Sequence, residues 1–540
     1  MTYFTIHLHL QLCFFHAFCI QLCEQWHVIS YTSNKLSIAT GQSFLLEKPC
    51  QKTHVHDIIQ QMKKLCGVVS LLWESAASPK QEVIFMQTIM NINNAINGVV
   101  WGPIMLTLLI GTGLLLSVRM GFPQFTKFVY VMKNTIGSMF SSKQRTGDDA
   151  GVSPFQAVAT AMAGTIGTGS ITGVATAIVS GGPGAVFWMW ISALLGMVTK
   201  YSEILLSLHF REKNDKGQYV GGPMYYIQNG LGWKWLAMIF AFFVAVACLG
   251  TGNATQGNSI AMALESTMGI NPMITGVVMT IIVGAVILGG IRRIAAVNEK
   301  LVPFMAVFYV IVAAVALILN APKIPAALAL IVQEAFNFQS AAGGVAGYGI
   351  MMAMRYGFAR GVFSNEAGLG SAPIAHASSS AKNPVDQAMW GMFEVFFTTI
   401  IICTCTALVI LTSGALETGL SGSALSIAAY NTVIPGIGGI CVTLGTVLFA
   451  TSTILGWAYY GEKAVEYLSN KNNTAVQAYR ILYTIIVFVG CAGGAGSLDL
   501  IWAISDTSNG LMAIPNLIGI VGLSGIVVKT TKEYFSKVGK

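Results

Sequence analysis

Ala161-Met-Ala-Gly-Thr-Ile-Gly-Thr-Gly-Ser-Ile-Thr-Gly173, followed soon after by Gly181-Gly-Pro-Gly-Ala-Val-Phe-Trp-Met-Trp190, decides how the whole chain is read. The segment is apolar enough for a membrane. Yet it places Gly164, Gly167, Gly169 and Gly173 among Thr165, Thr168, Ser170 and Thr172. In hydrocarbon every backbone amide must find a partner, so irregular backbone survives only where it is buried in protein or lines a cavity. A helix this rich in glycine can break and offer its freed N–H and C=O groups to a ligand, as transporter helices interrupted at the bilayer midplane do. The same density of small residues also makes a close packing face, which needs no ligand. The segment alone leaves both readings open.

Outward from it, the composition settles the class. Charged residues are 10% and hydrophobic residues 54% of the 540, against about 25% charged in soluble domains. Apolar stretches of roughly the 20 residues needed to cross a bilayer recur throughout. We read eleven, at roughly 97–119, 154–180, 184–208, 235–257, 271–291, 301–320, 343–377, 388–413, 433–458, 479–497 and 503–528. The expected fold is an all-α polytopic membrane protein, in which the seventh stretch is too long and too polar for a plain span.

Cytoplasmic loops retain lysine and arginine, and alternate connections are basic. Arg119 to Arg145, then Arg211 to Lys234, Arg292 to Lys300, Lys382, Lys463 to Arg480, and the tail from Lys529 to Lys540 form the series, with Lys323 the one clear exception. This predicts a first span that starts outside and a cytoplasmic C-terminus. The net charge of +8 is therefore a topology signal rather than a sign of nucleic-acid binding.

Residues 1–85 differ in composition. His7, His9, His16, His27, His54 and His56 fall there, with Cys13, Cys19, Cys23, Cys50 and Cys66. The spacing of His7, His9, Cys13 and His16 fits no standard zinc pattern, and the stretch lacks the basic start and unbroken apolar core of a signal peptide. We expect an atypical extension, disordered or upstream of a true start at Met86 or Met90, and a single transporter domain over 86–540. His209 and His376 are expected to stand alone at the cytoplasmic surface.

Two further motifs carry polar chemistry inside apolar spans. Arg360-Gly-Val-Phe-Ser-Asn-Glu-Ala-Gly-Leu-Gly370 resembles a helix start, with Ser364 as capping hydroxyl and Asn365-Glu366 in its first turn. An ionisable Glu366 at such depth is costly and usually functional; it could also serve as a simple cap. In Phe449-Ala-Thr-Ser-Thr-Ile-Leu-Gly-Trp457, Ser452 and Thr453 share one helix face with the Phe449 carbonyl. Oxygen ligands of this kind suit an alkali cation, although such hydroxyls also back-bond to their own helix. With the first span set aside, ten remain as five plus five, and an interrupted segment opens each half. Paired interruptions at matching positions are the sequence pointer to an inverted-repeat transporter.

The stretch Gly181 to Gly196, with Gly221-Gly-Pro-Met-Tyr-Tyr226, Asn253, Gln256 and Asn258, Leu301-Val-Pro-Phe-Met305, Ser364 to Gly370 and Gly456-Trp-Ala-Tyr-Tyr-Gly-Glu-Lys463, resembles the alanine/glycine:cation symporter family, the sodium:alanine symporters. The resemblance runs from about Ile96 to the C-terminus. It implies a leucine-transporter (LeuT-type) fold: a 5+5 inverted repeat with two discontinuous helices, preceded by one extra helix. It also implies sodium-driven uptake of small neutral amino acids, chiefly alanine and glycine, across the cell membrane by a monomer needing no organic cofactor. On this reading Thr165, Gly167, Thr168, Gly169, Ser170, Gln256, Phe363 and Trp457 line the substrate, and Gly164, Gly167, Ser452 and Thr453 hold Na+. Asn253, Asn258, Asn365, Glu366, Glu394 and Thr398 are further polar candidates. The chain departs from the family at Ser170, where an asparagine is usual, and at Thr398, where an acidic residue is common; Glu394, one turn earlier, is a possible substitute. A proton-coupled carrier using Glu394 or Glu366 is the competing expectation, and a non-transporting amino-acid sensor a remoter one.

Overall fold

Backbone that cannot bond to water must bond to itself, and the described residues are accordingly almost all helix. The computed structural model describes residues 79–139, 151–336, 346–493 and 499–538. The chain divides into two units, Met1–Val83 and Ile84–Lys540. The expectations for residues 1–85 fall almost wholly outside the described residues.

The described elements begin with α1 (Pro79–Val100) and α2 (Pro103–Met120), then α3 (Phe128–Met139). The first glycine-rich segment becomes α4 (Pro154–Thr165) and α5 (Thr172–Gly181), separated by a single 3-10 turn at Thr168–Ser170. Ser153 starts α4 cleanly: its hydroxyl accepts from the Gln156 amide while the Gln156 side chain bonds back to the Ser153 N–H, and Pro154 needs no such partner. Then follow α6 (Ala185–His209), α7 (Pro223–Leu231), α8 (Lys234–Leu249), α9 (Thr255–Met268), α10 (Pro272–Ile287), α11 (Gly290–Leu319) and α12 (Ile324–Ala335). A π-helical turn at Gly250–Ala254 joins α8 to α9.

The second interrupted segment becomes α13 (Ala346–Asn365) and α14 (Ala372–His376). After it come α15 (Pro384–Val395), a π-helical stretch Phe396–Cys403, α16 (Thr404–Ser413), α17 (Gly422–Val433), α18 (Gly438–Leu468), α19 (Asn473–Ala492), α20 (Asp499–Gly522) and α21 (Ser524–Val538). The order of elements therefore recurs. Counting the π-joined pairs α8–α9 and α15–α16 as one helix each, a broken helix, a long helix, a short helix and then three further helices run from α4 to α11, and again from α13 to α20.

Among the described residues seven helices are long and apolar enough to cross a membrane, or eight if the α20–α21 pair, bent by 58°, is one span. Three of the eleven expected stretches fall short as unbroken helices, for physical reasons. Those at 154–180 and 343–377 are interrupted by glycine, and the fifth forms a helix of only 16 residues, α10. The α18 backbone lies directly on α4: a Cβ on Gly456 would sit 2.9 Å from the Gly164 nitrogen. That close approach of small residues sets the interruption of α4 against the hydroxyl face of α18.

Candidate functional site

A helix end leaves its last carbonyls and the next helix's first amides without ladder partners. Here that happens in the protein's interior. The Ile166 amide still reaches the Met162 carbonyl at 2.7 Å, after which the bonds tighten to Ser170 N–H on Gly167 and Ile171 N–H on Thr168, each 3.1 Å. Thr165, Thr168 and Ser170 are all buried. The Thr168 hydroxyl donates to Gln256 Oε1 at 2.9 Å, and the Gln256 amide nitrogen donates to the Thr251 carbonyl at 3.0 Å, inside the π-helical turn. Phe363 covers Gly169, where a Cβ would lie 2.8 Å from its ring, and Trp457 covers Gly252, where a Cβ would lie 2.3 Å from its Cβ. These glycines are therefore close-approach positions: alanine has no room.

On α18, Thr453 and Ser452 place their hydroxyls on two carbonyls at once. Thr453 Oγ1 is 3.0 Å from the Ala163 oxygen and 2.9 Å from Phe449; Ser452 Oγ is 3.3 Å and 2.8 Å from the same two. Four oxygens thus share two hydroxyl protons, a neutral, oxygen-rich donor set with lone pairs to spare. Such a set at the C-terminal end of a half-helix fits a sodium ion. The nearest α4 carbonyl is that of Ala163, one residue before Gly164. Gly167 packs against Thr453 itself, a Cβ there falling 2.5 Å from its hydroxyl.

The second break is built differently. Glu366 takes a left-handed φ of 57°, and Gly368 and Gly370 take 93° and 78°, so the chain turns sharply between α13 and α14. Side chains hold the turn. The Asn365 side chain accepts from the Ala367 amide at 2.9 Å and donates to Thr399 at 3.0 Å. Glu366 accepts from Ser371 at 2.6 Å and from the Trp457 indole N–H at 2.8 Å. Glu203 Oε1 accepts from the Gly368 amide at 2.9 Å and from Asn516 at 2.6 Å. The buried Lys200 ammonium donates to the Asn365 carbonyl at 2.9 Å. The two breaks meet where Ser170 and Ser364 share a hydrogen bond of 2.9 Å.

The sequence-derived candidates sort cleanly on this geometry. Thr165, Gly167, Thr168, Gly169, Ser170, Gln256, Phe363, Trp457, Gly164, Ser452, Thr453 and Glu366 lie at or against the two breaks. Asn365 braces the second break from Thr399. Asn253 is turned elsewhere, donating to the Tyr483 carbonyl at 2.6 Å. Asn258 is half-buried on α9, two residues and hence just over half a turn away from Gln256. The Thr398 hydroxyl back-bonds to the Glu394 carbonyl. Glu394 does not point to the first break; it pairs with His376 at 2.8 Å and faces Lys200 at 3.6 Å. His376 is therefore fully buried, contrary to its expected place at the surface, whereas His209 is exposed. Lys200 and Glu203, one helical turn apart in an otherwise apolar span, went unnoticed in the sequence; charge inside a span was the signal that could have found them.

With that geometry in hand, the known proteins similar to this chain are informative. Residues 86–540 match the model of the sodium:alanine symporter family. A sodium/alanine symporter, AgcS, of Methanococcus maripaludis is 47% identical over 449 residues, which cover 82% of this chain and 96% of that protein. A putative sodium/proton-dependent alanine carrier protein, YrbD, and a probable sodium/glutamine symporter, GlnT, both of Bacillus subtilis, are each 36% identical. They cover 82% and 84% of this chain, and 91% and 93% of their own lengths.

Proposed function

The chain belongs to the sodium:alanine symporter family, and from that premise we propose that it imports small neutral amino acids, alanine or glycine, driven by sodium. It is a multi-pass membrane protein, and its relatives are named as transporters or symporters. We further propose a LeuT-type architecture of eleven spans, working as a monomer in the cell membrane with its C-terminus cytoplasmic. The recurring order of elements in α4–α11 and α13–α20 supports the two-halves reading.

The observation that carries the proposal is the meeting of two interrupted helices around Ser170 and Ser364, with an oxygen-rich set on α18 beside them. A zwitterionic amino acid needs positive dipole for its carboxylate and acceptors for its ammonium. Amides of Gly167, Thr168 and Gly169, just ahead of the α5 half-helix, offer the first. Carbonyls released at the second break and the remaining lone pair of Gln256 Oε1 offer the second. Thr165 and Thr168 flank the carboxylate, and Phe363 and Trp457 close over a small side chain. Sodium sits among the Ala163 carbonyl, the carbonyls that follow it at Gly164 and Gly167, and the hydroxyls of Ser452 and Thr453. Alternating access follows if the α4 and α14 half-helices move relative to the rest and expose this centre to one side at a time. Sodium's charge then couples uptake to the membrane potential at about 2.3 kcal/mol per charge per 100 mV.

Counterflow of labelled amino acids in proteoliposomes tests this. Alanine and glycine should exchange in sodium and stop when sodium is replaced by choline, while leucine and phenylalanine compete poorly. Exchange that ignores sodium removes the coupling ion, and efficient transport of a large side chain removes the small pocket.

A further inference from the structure

Away from both breaks, four elements meet at their ends. Residues 214–218, at the tip of a two-stranded hairpin between α6 and α7, face the α10–α11 turn, the last turns of α18 and the start of α19, and together they enclose a cavity of about 400 Å³. Its floor is charged but balanced. Buried Glu462 accepts from Arg480 at 2.8 Å, and buried Glu466 accepts from Lys463 at 2.5 Å and from Asn214 at 2.9 Å. Its rim is not balanced. There Lys216, Arg292 and Lys471 stand against one carboxylate, Asp215, 3.4 Å from Lys471. Lys216 donates to the uncharged Asn473 side chain at 3.1 Å. The connection from α18 to α19 sets Lys471 in place with left-handed φ values of 51° at Asn470 and 67° at Lys471, and with the Lys471 amide on the Glu466 carbonyl at 2.7 Å. Such backbone is costly in residues other than glycine and persists only where its surroundings hold it.

The depth of the cavity says what kind of anion meets it. α10 has only 16 residues, about 24 Å of helix, against a hydrocarbon core about 30 Å thick. Lipid adjusts to so short a helix by thinning, which brings headgroups inward. The C-terminal end of α10 is the one that opens on the cavity, through Leu288, Gly289 and Gly290. Leu288 is 64% exposed and lies two turns after the exposed Ile281 on the same face. α19, packed against α10, adds exposed Ile481 and Leu482. A cationic recess and a bare apolar face therefore adjoin, as a phosphate headgroup and its acyl chains do. The first amides of α11, a 30-residue helix with no side-chain cap at its start, add positive dipole at the same rim.

We propose that this cavity binds the headgroup of an anionic phospholipid, with the phosphate among Lys216, Arg292 and Lys471 and the acyl chains along α10 and α19. Basic pockets between membrane helices recognise headgroups of this kind. The hairpin and the α10–α11 turn belong to the first run of elements, whereas α18 and α19 belong to the second. One headgroup therefore bonds to both runs and steadies α18, the helix that carries Ser452 and Thr453. The inference rests on the membrane placement of the chain, not on what the chain carries.

The test uses the full chain, purified in an uncharged detergent and titrated with phosphatidylglycerol, phosphatidylcholine or inorganic phosphate. Native mass spectrometry counts the bound lipid, and a melting curve reads its effect. One phosphatidylglycerol per chain should stay bound and raise the melting temperature, while phosphatidylcholine and inorganic phosphate do neither. A basic group beside an anionic headgroup is worth roughly a fivefold factor in affinity, so Lys216→Gln with Lys471→Gln should weaken phosphatidylglycerol binding by about thirtyfold. Both side chains are exposed, and surface pairs of this kind add little to stability, so the variant should fold. Lys532→Gln with Lys537→Gln removes the same charge from the exposed face of α21 and should bind the lipid as the parent does. No retained phosphatidylglycerol, an equal loss in the two double variants, or equal stabilisation by phosphatidylcholine overturns the proposal. Stabilisation by inorganic phosphate alone assigns the cavity to a soluble anion and overturns the lipid. Should amino-acid exchange prove independent of sodium, the transport assignment falls while each of these outcomes keeps its meaning.

Discussion

The two interruptions differ in the way they are held open. The first, at Ile166–Ile171, is uncharged: two glycines and two hydroxyl residues, close to Gln256 and to the α18 hydroxyls. The second, at Glu366–Ser371, is latched by side chains, with Glu366, Asn365, Glu203, Asn516 and Lys200 each bonded to the turn or to one another. A surface meant to take a charged ligand keeps its backbone dipoles free of competing ions. A turn that needs three left-handed residues, one of them Glu366, needs partners to hold it there. On this contrast we propose that ligand binding falls chiefly to the first break and conformational integrity chiefly to the second, a division that can be broken experimentally.

The largest effect should come from the second. Lys200→Met removes the ammonium that faces the buried carboxyl groups of Glu203, Glu366 and Glu394, and the donor to the Asn365 carbonyl. Stripping one partner from a buried ion pair typically costs about 3–5 kcal/mol. We expect a marked fall in the melting temperature of the detergent-solubilised protein, with poor recovery from the membrane. A Lys200→Met protein with unchanged thermal stability would mean that the latch is not what holds the turn.

Much of this was legible in the sequence. Glycine density located the first break, because only small residues let backbone approach backbone; the helix-start pattern Ser364-Asn365-Glu366 located the second, and the Ser452–Thr453 face followed from helical spacing. Counting spans gave the expectation of paired halves, which the recurring order of elements supports. What escaped was set by tertiary contact. Nothing local tells that His376 is buried under Glu394, that Asn253 turns to Tyr483 rather than to the first break, or that the Ala163 carbonyl, one residue before Gly164, is the one that meets α18. The π-helical turns at 250–254 and 396–403 were equally invisible, since a one-residue change in ladder register leaves no compositional mark. The same holds for Glu394: at Thr398 its proximity in sequence suggested a replacement acid, but the helix directs its side chain to Lys200.

An intermediate effect belongs to the first break. Ser452→Ala with Thr453→Ala removes two of the four oxygens beside α4 while leaving the Ala163 and Phe449 carbonyls in place. A hydrogen bond or ligand contact to a charged partner is worth roughly 1.5–3 kcal/mol, so the sodium concentration for half-maximal uptake should rise by at least about tenfold. Stability should fall far less than in Lys200→Met. Sodium dependence that stays as in the parent chain would take these hydroxyls out of the ion site.

The smallest and sharpest test is at Ser170, where the breaks touch. Its hydroxyl bonds to Ser364 at 2.9 Å, and its carbonyl accepts from Thr406 at 2.9 Å. Ser170→Ala removes one neutral hydrogen bond, worth about 1 kcal/mol, and leaves the backbone amides of Gly167, Thr168 and Gly169 that we assign to the substrate carboxylate. Alanine affinity should therefore weaken by no more than about fivefold. Ser170→Asn adds a carboxamide with an acceptor and two donors into a space closed by Ser364, which itself lies 3.1 Å from the Cys403 sulfur. Overpacking of this kind costs roughly 1–3 kcal/mol, so the asparagine should weaken alanine exchange unless Ser364 is also reduced to glycine or alanine. Rescue of Ser170→Asn by Ser364→Ala would show that the two positions share one volume. Tighter alanine binding in Ser170→Asn alone would show instead that the pocket at the first break has room this structure does not display, and the division of labour between the breaks would have to be redrawn.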